Sequence, residues 1–168
     1  MPRASQGFHH VAYACRDAVE NHRFYGEILG LPLLNTEVQR FGDACIRHMF
    51  YDTGDGSCIA FSELSGAGEP APLRTAVSTD LGLPLWVNHV ALRADAEQVA
   101  AARDRLEAAG IAVDMELDHG WCDSIYFTDP NGILVELCVD RPGGMPVDPS
   151  AAHAQLRDES EASEADAD

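Results

Sequence analysis

Two short stretches of the chain alternate apolar and polar positions in the manner of β-strands and resemble each other in sequence. They are residues 8–13 and 87–92, and each contains the trio His-Val-Ala, which begins at His10 in the first stretch and at His89 in the second. Alternation with a period of two predicts a strand with one buried face. A short internal repeat of this kind predicts two similar structural units in one chain.

A predicted helix follows each of these strands. Asp17 and Asp95 each stand three residues before a Glu or Gln, which is typical of a side chain that caps the start of a helix. The helical segments end at Gly30 and Gly110, and glycine suits the left-handed conformation that closes many helices. Each unit therefore begins with a strand and a helix.

The rest of each unit is predicted to be strands joined by tight turns. Residues 50–56 and 126–132 both pass from aromatic residues to an Asp/Asn-Gly turn, and an apolar strand follows each turn. Each unit thus has the order βαβββ, over residues 8–64 and 86–140, with a linker at 65–85. We expect one domain over residues 1–145, followed by an acidic, disordered tail at 146–168.

Composition excludes several functions. The chain has 168 residues and a net charge of −17, which disfavours nucleic acids and anionic membranes as partners. All eleven basic residues are arginines, so lysine Schiff bases, pyridoxal-phosphate attachment and lysine-containing phosphate loops are excluded. The five cysteines form no C-x-x-C pair, and we expect buried thiols.

The pattern of apolar residues also bears on location. No apolar run is long enough to span a bilayer, and the first ten residues lack the apolar stretch of a secretion signal. We therefore expect a cytoplasmic protein with no membrane partner.

Three residues form the candidate metal site. His10 and His89 occupy equivalent positions of the repeat, and Glu136 stands in the middle of an otherwise apolar strand. A buried carboxylate is costly unless it pairs with a cation or binds a metal. Two His and one Glu are typical of sites that hold Fe(II) or a similar divalent ion and leave positions open for substrate.

On these features the chain resembles the vicinal oxygen chelate superfamily of glyoxalases, bleomycin and fosfomycin resistance proteins, epimerases and extradiol dioxygenases. The resemblance extends over residues 8–140. It implies an α+β fold in which two βαβββ modules form a cupped mixed sheet around a divalent metal. It also implies that His10, His89 and Glu136 are the metal ligands and that the protein is a homodimer.

The second module resembles the extradiol dioxygenases in particular, because residues 119–136 follow the pattern around their last metal ligand. This resemblance implies that Tyr126 and His119 are catalytic residues, which line the substrate pocket and hydrogen-bond the bound diol or its oxygen adduct. Fe(II) is the expected metal, with Mn(II), Zn(II) or Ni(II) as alternatives.

The sequence departs from both branches of the family at single positions. Ala60 stands where glyoxalases have a fourth ligand, and a bulge in the strand would be needed for Glu63 to replace it. Ser57 stands where the dioxygenases have an acid–base histidine, so proton transfer would fall to His48 or His119.

The sequence therefore predicts a metal-dependent enzyme, most simply an extradiol-type dioxygenase acting on a vicinal diol or a catechol-like small molecule. Two alternatives stay open. One is a glyoxalase-like lyase, isomerase or epimerase that acts through an enediolate, and the other is a drug-binding resistance protein without catalysis.

Overall fold

The chain folds into two four-stranded sheets, each built by one of the predicted modules. The structure, a computed structural model, describes residues 5–66 and 73–156. The first module consists of β1 (His10–Cys15), α1 (Ala18–His22) with a π-helical continuation (Arg23–Ile28), β2 (Leu33–Phe41), β3 (Ala44–Asp52) and β4 (Cys58–Ser65). The second consists of β5 (His89–Arg93), α2 (Ala96–Ala108), β6 (Met115–Asp118), β7 (Cys122–Thr128) and β8 (Leu134–Asp140).

The two sheets have the same topology. Their strand orders are β1-β4-β3-β2 and β5-β8-β7-β6, and in each the first strand is parallel to the last while the other pairs are antiparallel. The predicted α+β class with two βαβββ modules is confirmed. In the described residues β1 and β5 are edge strands of separate sheets, because each pairs only with the last strand of its own module.

The predicted helix caps are also confirmed. The Asp17 side chain accepts the backbone N–H groups of Val19 and Glu20, and Asp95 forms a reciprocal capping box with Gln98. Gly30 and Gly110 follow the helical segments with φ of 76° and 72°, a conformation that side chains disfavour.

Aromatic side chains from both modules meet in one apolar core. Tyr25 packs on Phe61 of the first sheet with ring centroids 4.4 Å apart, and its neighbour Phe24 lies 6.0 Å from Phe127 of the second sheet. All four rings are buried. Aromatic burial is a large source of stability, so the helical stretch of the first module helps to hold the second module in place.

The segment after the second module contains a helix, α3 (Pro149–Gln155), where the sequence led us to expect disorder from residue 146 onward. Asp148 caps it by accepting the N–H groups of Ser150 and Ala151, and Pro149 occupies its first turn, so the local sequence carries a helix start signal. The acidic residues 157–168 lie outside the described part of the chain. Within the described ranges, none of the helices has the length and apolarity needed to cross a membrane.

Candidate metal centre

Glu136 is a buried carboxylate in the middle of β8, with 4% of its surface exposed. The sheet register places it between Ala91 of β5 and Tyr126 of β7. His89 precedes Ala91 by two residues, so its side chain lies on the same face of the sheet. His89 Nε2 and Glu136 Oε2 are 3.1 Å apart.

The orientation of the His89 ring favours a cation at this point. Its Nδ1 lies 2.9 Å from the carbonyl oxygen of Trp86, an acceptor, so Nδ1 carries the hydrogen and donates. In the neutral ring Nε2 is then a lone pair, and it faces a second acceptor, the carboxylate of Glu136. The repulsion between this lone pair and the carboxylate is relieved by a second proton on the ring or by a metal ion between the two groups. A His ring fixed through its other nitrogen is the usual arrangement of a metal ligand.

The surroundings of Glu136 keep it ionised. Burial by itself raises its pKa, but the hydrogen bond from Cys138, the nearby hydroxyls of Ser124 and Tyr126 and the charge of His89 bring the pKa below the ordinary value. In the described residues no arginine forms an ion pair with Glu136. The donors present, imidazole nitrogen and carboxylate oxygen, therefore fit a divalent cation.

Tyr126 and His119 form a hydrogen-bonded pair beside this carboxylate. The Tyr126 hydroxyl lies 2.8 Å from His119 Nε2, which in turn lies 4.0 Å from Glu136 Oε1. Burial, followed by the contact with Glu136, raises the pKa of Tyr126 well above its ordinary value. The hydroxyl therefore stays protonated at neutral pH and acts as a donor.

The turn that carries His119 is fastened to the end of β8. Arg141 pairs with Asp118 at 3.0 Å and donates from Nε to Asp123 at 2.8 Å, so it joins the two sides of the β6–β7 hairpin. Its backbone N–H donates to the carbonyl of Trp121 at 2.8 Å. These contacts keep the His119 ring near Glu136, which a free surface turn would not do.

His10 lies apart from this group. It stands at the start of β1, and its ring contacts are His9, His48 and Phe50, all in the first module. Among the described residues, the nitrogen and oxygen atoms of His10, His89 and Glu136 do not come within 4.8 Å of one another as a group. Thus one chain brings together His89, Glu136, His119 and Tyr126, and leaves His10 on the other sheet.

The residues that complicated the sequence comparison are engaged elsewhere. Glu63 accepts the backbone N–H of Ala18 at 2.9 Å and pairs with Arg47, and the regular register of β4 places it on the face opposite Ala60. It is therefore a cap for α1 and not a fourth ligand in this chain. Ser57 donates to Asp55 at 2.6 Å within the β3–β4 turn.

His48 lies on the first sheet, with its ring centroid 4.3 Å from that of Phe50 and 6.2 Å from that of His10. Its Nε2 is buried and has no hydrogen-bond partner in the described structure. Of the two histidines considered for proton transfer, His119 is the one beside Glu136.

Two thiols near Glu136 were not recognised from the sequence as part of a site. Cys138 Sγ donates to Glu136 Oε1 at 2.9 Å, and Cys122 Sγ lies in the same group as Glu136 and His119. The available signal for Cys138 was its position two residues after Glu136 on the same strand, which places both side chains on one face.

A cavity of about 800 Å³ lies between the edge strands of the two sheets, and His89 is part of its wall. Its lining includes Val11 and Tyr13 of β1 and Leu92 and Arg93 of β5. The volume is in the range that holds small organic ligands.

Comparison with known proteins agrees with this architecture. The profile of the Glyoxalase/Bleomycin resistance protein/Dioxygenase superfamily matches residues 7–137. A Bacillus subtilis protein named "Putative ring-cleaving dioxygenase MhqE" is 38% identical over 68 residues, which make up 39% of this chain and 22% of that protein. The chain therefore matches about a fifth of the length of this relative.

Two solved structures illustrate the shared fold. A glyoxylase/bleomycin resistance protein/dioxygenase domain from Frankia sp. EAN1pec superposes with a TM-score of 0.61 at 22% identity, over 83% of this chain and 96% of that one. A variant of the fosfomycin resistance protein FosX from Listeria monocytogenes, in complex with Mn(II) and 1S,2S-dihydroxypropylphosphonic acid, gives a TM-score of 0.56 at 22% identity, over 80% and 92% of the two chains. At such identities the likeness shows the fold alone.

Proposed function

The chain belongs to the Glyoxalase/Bleomycin resistance protein/Dioxygenase superfamily, and from this we propose that it is a metal-dependent, extradiol-type dioxygenase acting on a vicinal diol or a catechol-like small molecule. The observation that carries the proposal is the placement of His89 and Glu136, 3.1 Å apart, beside the hydrogen-bonded pair of His119 and Tyr126. The two proposed metal ligands of this sheet and the proposed proton-transfer pair therefore lie close together on the second module.

The proposed ligands are His10, His89 and Glu136, and Fe(II) is the proposed metal, with Mn(II), Zn(II) or Ni(II) as alternatives. Such an ion would supply Lewis acidity that lowers the pKa of a coordinated hydroxyl. The lone pair of His89 Nε2 and the ionised Glu136 are the groups on this sheet that would hold it.

The roles of His119 and Tyr126 follow from their positions and hydrogen bonding. His119 Nε2 can accept a proton from a substrate hydroxyl and return it, as a positioned general base and acid. The Tyr126 hydroxyl orients the His119 ring through its contact with Nε2. Once Nε2 is protonated it donates to the Tyr126 oxygen, so the single Tyr126 hydrogen is free to donate to a developing oxyanion of the substrate. Arg141 holds the His119 ring near the Tyr126 hydroxyl, because it binds Asp118 and Asp123 on the two sides of the turn that contains His119.

The Bacillus subtilis relative supports ring cleavage as the reaction, since its name describes a ring-cleaving dioxygenase. The cavity at His89 is of a kind that suits a small organic molecule, because its walls combine aliphatic and aromatic side chains with Arg93, but His119, Tyr126 and Glu136 are not among its lining residues.

We also propose a homodimer in which His10 of one copy approaches His89 and Glu136 of the other. In one chain His10 lies on a different sheet from Glu136. Every residue of the edge strand β2 is exposed, including the apolar side chains of Leu33, Val38 and Phe41. A second copy that covers such an edge would bury apolar area and protect unpaired backbone groups. His10 lies on the opposite edge strand of this sheet, β1, whose first three residues are also exposed, so a copy that packs against β1 would receive the third ligand.

The test is oxygen uptake by the full chain, purified without air, loaded with Fe(II) and mixed with a panel of catechols. We expect uptake together with a coloured ring-opened product, and loss of both in Glu136→Ala and His89→Ala. Exposed residues of the same types, Glu107 and His153, provide matched control variants.

Other outcomes decide against ring cleavage. Turnover of a diol or hydroxycarbonyl compound without oxygen would instead indicate isomerase or lyase chemistry. Ligand binding that is unaffected by Glu136→Ala and leads to no product would indicate a drug-binding protein.

A further inference from the structure

Two cysteine thiols lie around Glu136 that ring-cleavage chemistry does not use. Cys122 begins β7 and is fully buried, and Cys138 is partly buried on β8. Cys138 Sγ donates to Glu136 Oε1 at 2.9 Å. Ser124 stands between them, with its hydroxyl 3.6 Å from each sulfur atom.

Three different donor types converge at one point of this surface. One ring nitrogen of His119, Cys122 Sγ and a carboxylate oxygen of Glu136 all lie within 4.8 Å of one another. They come from a turn and from two neighbouring strands, so the convergence is a product of the fold. A buried thiol often packs only as a small apolar group, but packing alone does not require an imidazole and a carboxylate beside it.

This group lies on the opposite side of the Glu136 carboxylate from His89. Oε2 faces His89 at 3.1 Å, whereas Oε1 faces His119 at 4.0 Å and Cys138 at 2.9 Å. The two oxygens of one carboxylate therefore point toward two different sets of donors. A cation on the Oε1 side does not need His10 or His89.

The donors on the Oε1 side are held in place before any ion binds. Arg141 fixes the His119 turn through Asp118 and Asp123, and the His119 backbone N–H donates to the carbonyl of Cys122 at 3.0 Å. The His119 side chain is 34% exposed whereas Cys122 and Glu136 are buried, so an ion would enter from the His119 side. Zn²⁺ binds Cys, His and carboxylate ligands in tetrahedral sites, and thiolate selects softer cations than Mg²⁺ or Ca²⁺.

We propose that His119, Cys122 and Glu136 Oε1 form a second metal-binding position, for a borderline-soft divalent cation of the Zn²⁺ class. Cys122 binds as the thiolate, and its proton leaves to solvent when the ion enters. An ion bound through His119 Nε2 would replace the hydrogen bond between that nitrogen and Tyr126. The position does not depend on the proposed dioxygenase activity.

The test is X-ray absorption at the zinc edge on the full chain, kept reduced and saturated with Zn²⁺. We expect a sulfur scatterer at about 2.3 Å from zinc in addition to nitrogen and oxygen scatterers. The sulfur signal should disappear in Cys122→Ser. It should remain in His89→Ala, which removes the donor on the other side of Glu136, and in Cys45→Ser, a matched change on the first sheet.

Three results would overturn the inference: only nitrogen and oxygen around zinc in the wild-type chain, a sulfur signal that survives Cys122→Ser, or one that disappears in His89→Ala. Circular dichroism establishes that each variant is folded, and Cys122→Ala replaces Cys122→Ser if the buried hydroxyl prevents folding. A wild-type spectrum without sulfur around zinc overturns the inference even without a variant. Oxygen uptake with Fe(II) is measured separately, so the failure of one proposal leaves the other to be judged on its own result.

Discussion

The Tyr25 hydroxyl donates a hydrogen bond to Asp129 over 3.0 Å, from the helical stretch of the first module to the β7–β8 turn of the second. Both residues are buried. The same carboxylate accepts the backbone N–H of Ile133 at 2.7 Å and the side-chain amide of Asn131 at 2.8 Å. Because this turn leads directly into the strand that contains Glu136, the pair links module packing to the geometry of the candidate metal centre.

Removal of the Asp129 carboxylate is expected to destabilise the protein strongly. Asp129→Ala leaves the Tyr25 hydroxyl and the backbone N–H groups of Asn131 and Ile133 buried without this acceptor, which should lower the free energy of unfolding by about 3 kcal/mol. Tyr25→Phe removes one partner only and should cost about 1 kcal/mol. Urea denaturation at neutral pH measures both changes.

The double variant tests whether the two residues act through each other. Groups in direct contact are expected to deviate from additivity by at least about 0.5 kcal/mol. Strict additivity of the two single changes would mean that the hydrogen bond contributes little to the junction of the modules.

Tyr126→Phe is expected to impair turnover while leaving the metal in place. The change removes the hydroxyl that contacts His119 Nε2. It leaves the side chains of His10, His89 and Glu136, the proposed Fe(II) ligands, in place. We expect oxygen uptake to fall about 100-fold, the size typical of a lost acid–base or oxyanion contact, with unchanged bound Fe(II) measured by elemental analysis. Tyr51→Phe, a buried tyrosine of the first module, is the matched control. Loss of metal in Tyr126→Phe would assign the hydroxyl a role in metal binding instead.

A mixture of two inactive variants is expected to regain activity if the site is shared between copies. His10→Ala and Glu136→Ala each destroy both sites of their own dimer. A mixed dimer keeps one intact site, so random pairing should restore about a quarter of the wild-type sites. Oxygen uptake after co-refolding of the two variants measures this. If the mixture stays inactive although mixed dimers form, His10 acts within its own chain or not at all.

The raised pKa of the buried Cys15 thiol leads us to expect that the free energy of unfolding falls at alkaline pH. Burial, and then the charges of Glu63, Asp17 and Asp129, raise the pKa of Cys15 to about 12. Between about pH 9 and 12 the unfolded chain loses this proton while the folded chain keeps it, so the free energy of unfolding falls as pH rises, by at most about 1.4 kcal/mol per pH unit. Below this window the thiol contributes no pH dependence.

Cys15→Ala isolates this contribution, since only the slope against pH is compared. Thermal or urea unfolding from pH 8 to pH 11 should show a shallower decline in the variant than in the wild-type chain. Identical slopes would show that Cys15 ionises in the folded protein as readily as in the unfolded one.

Much of the fold follows from local chemistry that the sequence displays. Alternating apolar residues define strands, Asp17 and Asp95 define helix starts, and Gly30 and Gly110 define the points where the chain must turn left-handed. Each of these signals acts over a few residues, and each is repeated in the second module. The repeat therefore predicted the order of the elements in both modules.

The interactions that position the candidate site join residues that are far apart in sequence, and no local sequence pattern predicted them. Arg141 pairs with Asp118 in the His119 turn, and Glu63 binds the start of α1 and Arg47. Cys122 on β7 lies close to Glu136 on the neighbouring strand β8. Which donors meet depends on how hairpins and sheets pack, and equivalence of two positions in a repeat does not give the distance between them.

His10 and His89 show this division. The sequence by itself determined that they occupy matching strand positions and that a buried carboxylate stands on the second sheet. Only the tertiary structure decided that His89 meets Glu136 while His10 stays on the other sheet. The physical reason is that backbone hydrogen bonding joins each strand to its own module, whereas the placement of one module against the other is decided by the shared aromatic core and by buried pairs such as Tyr25 and Asp129.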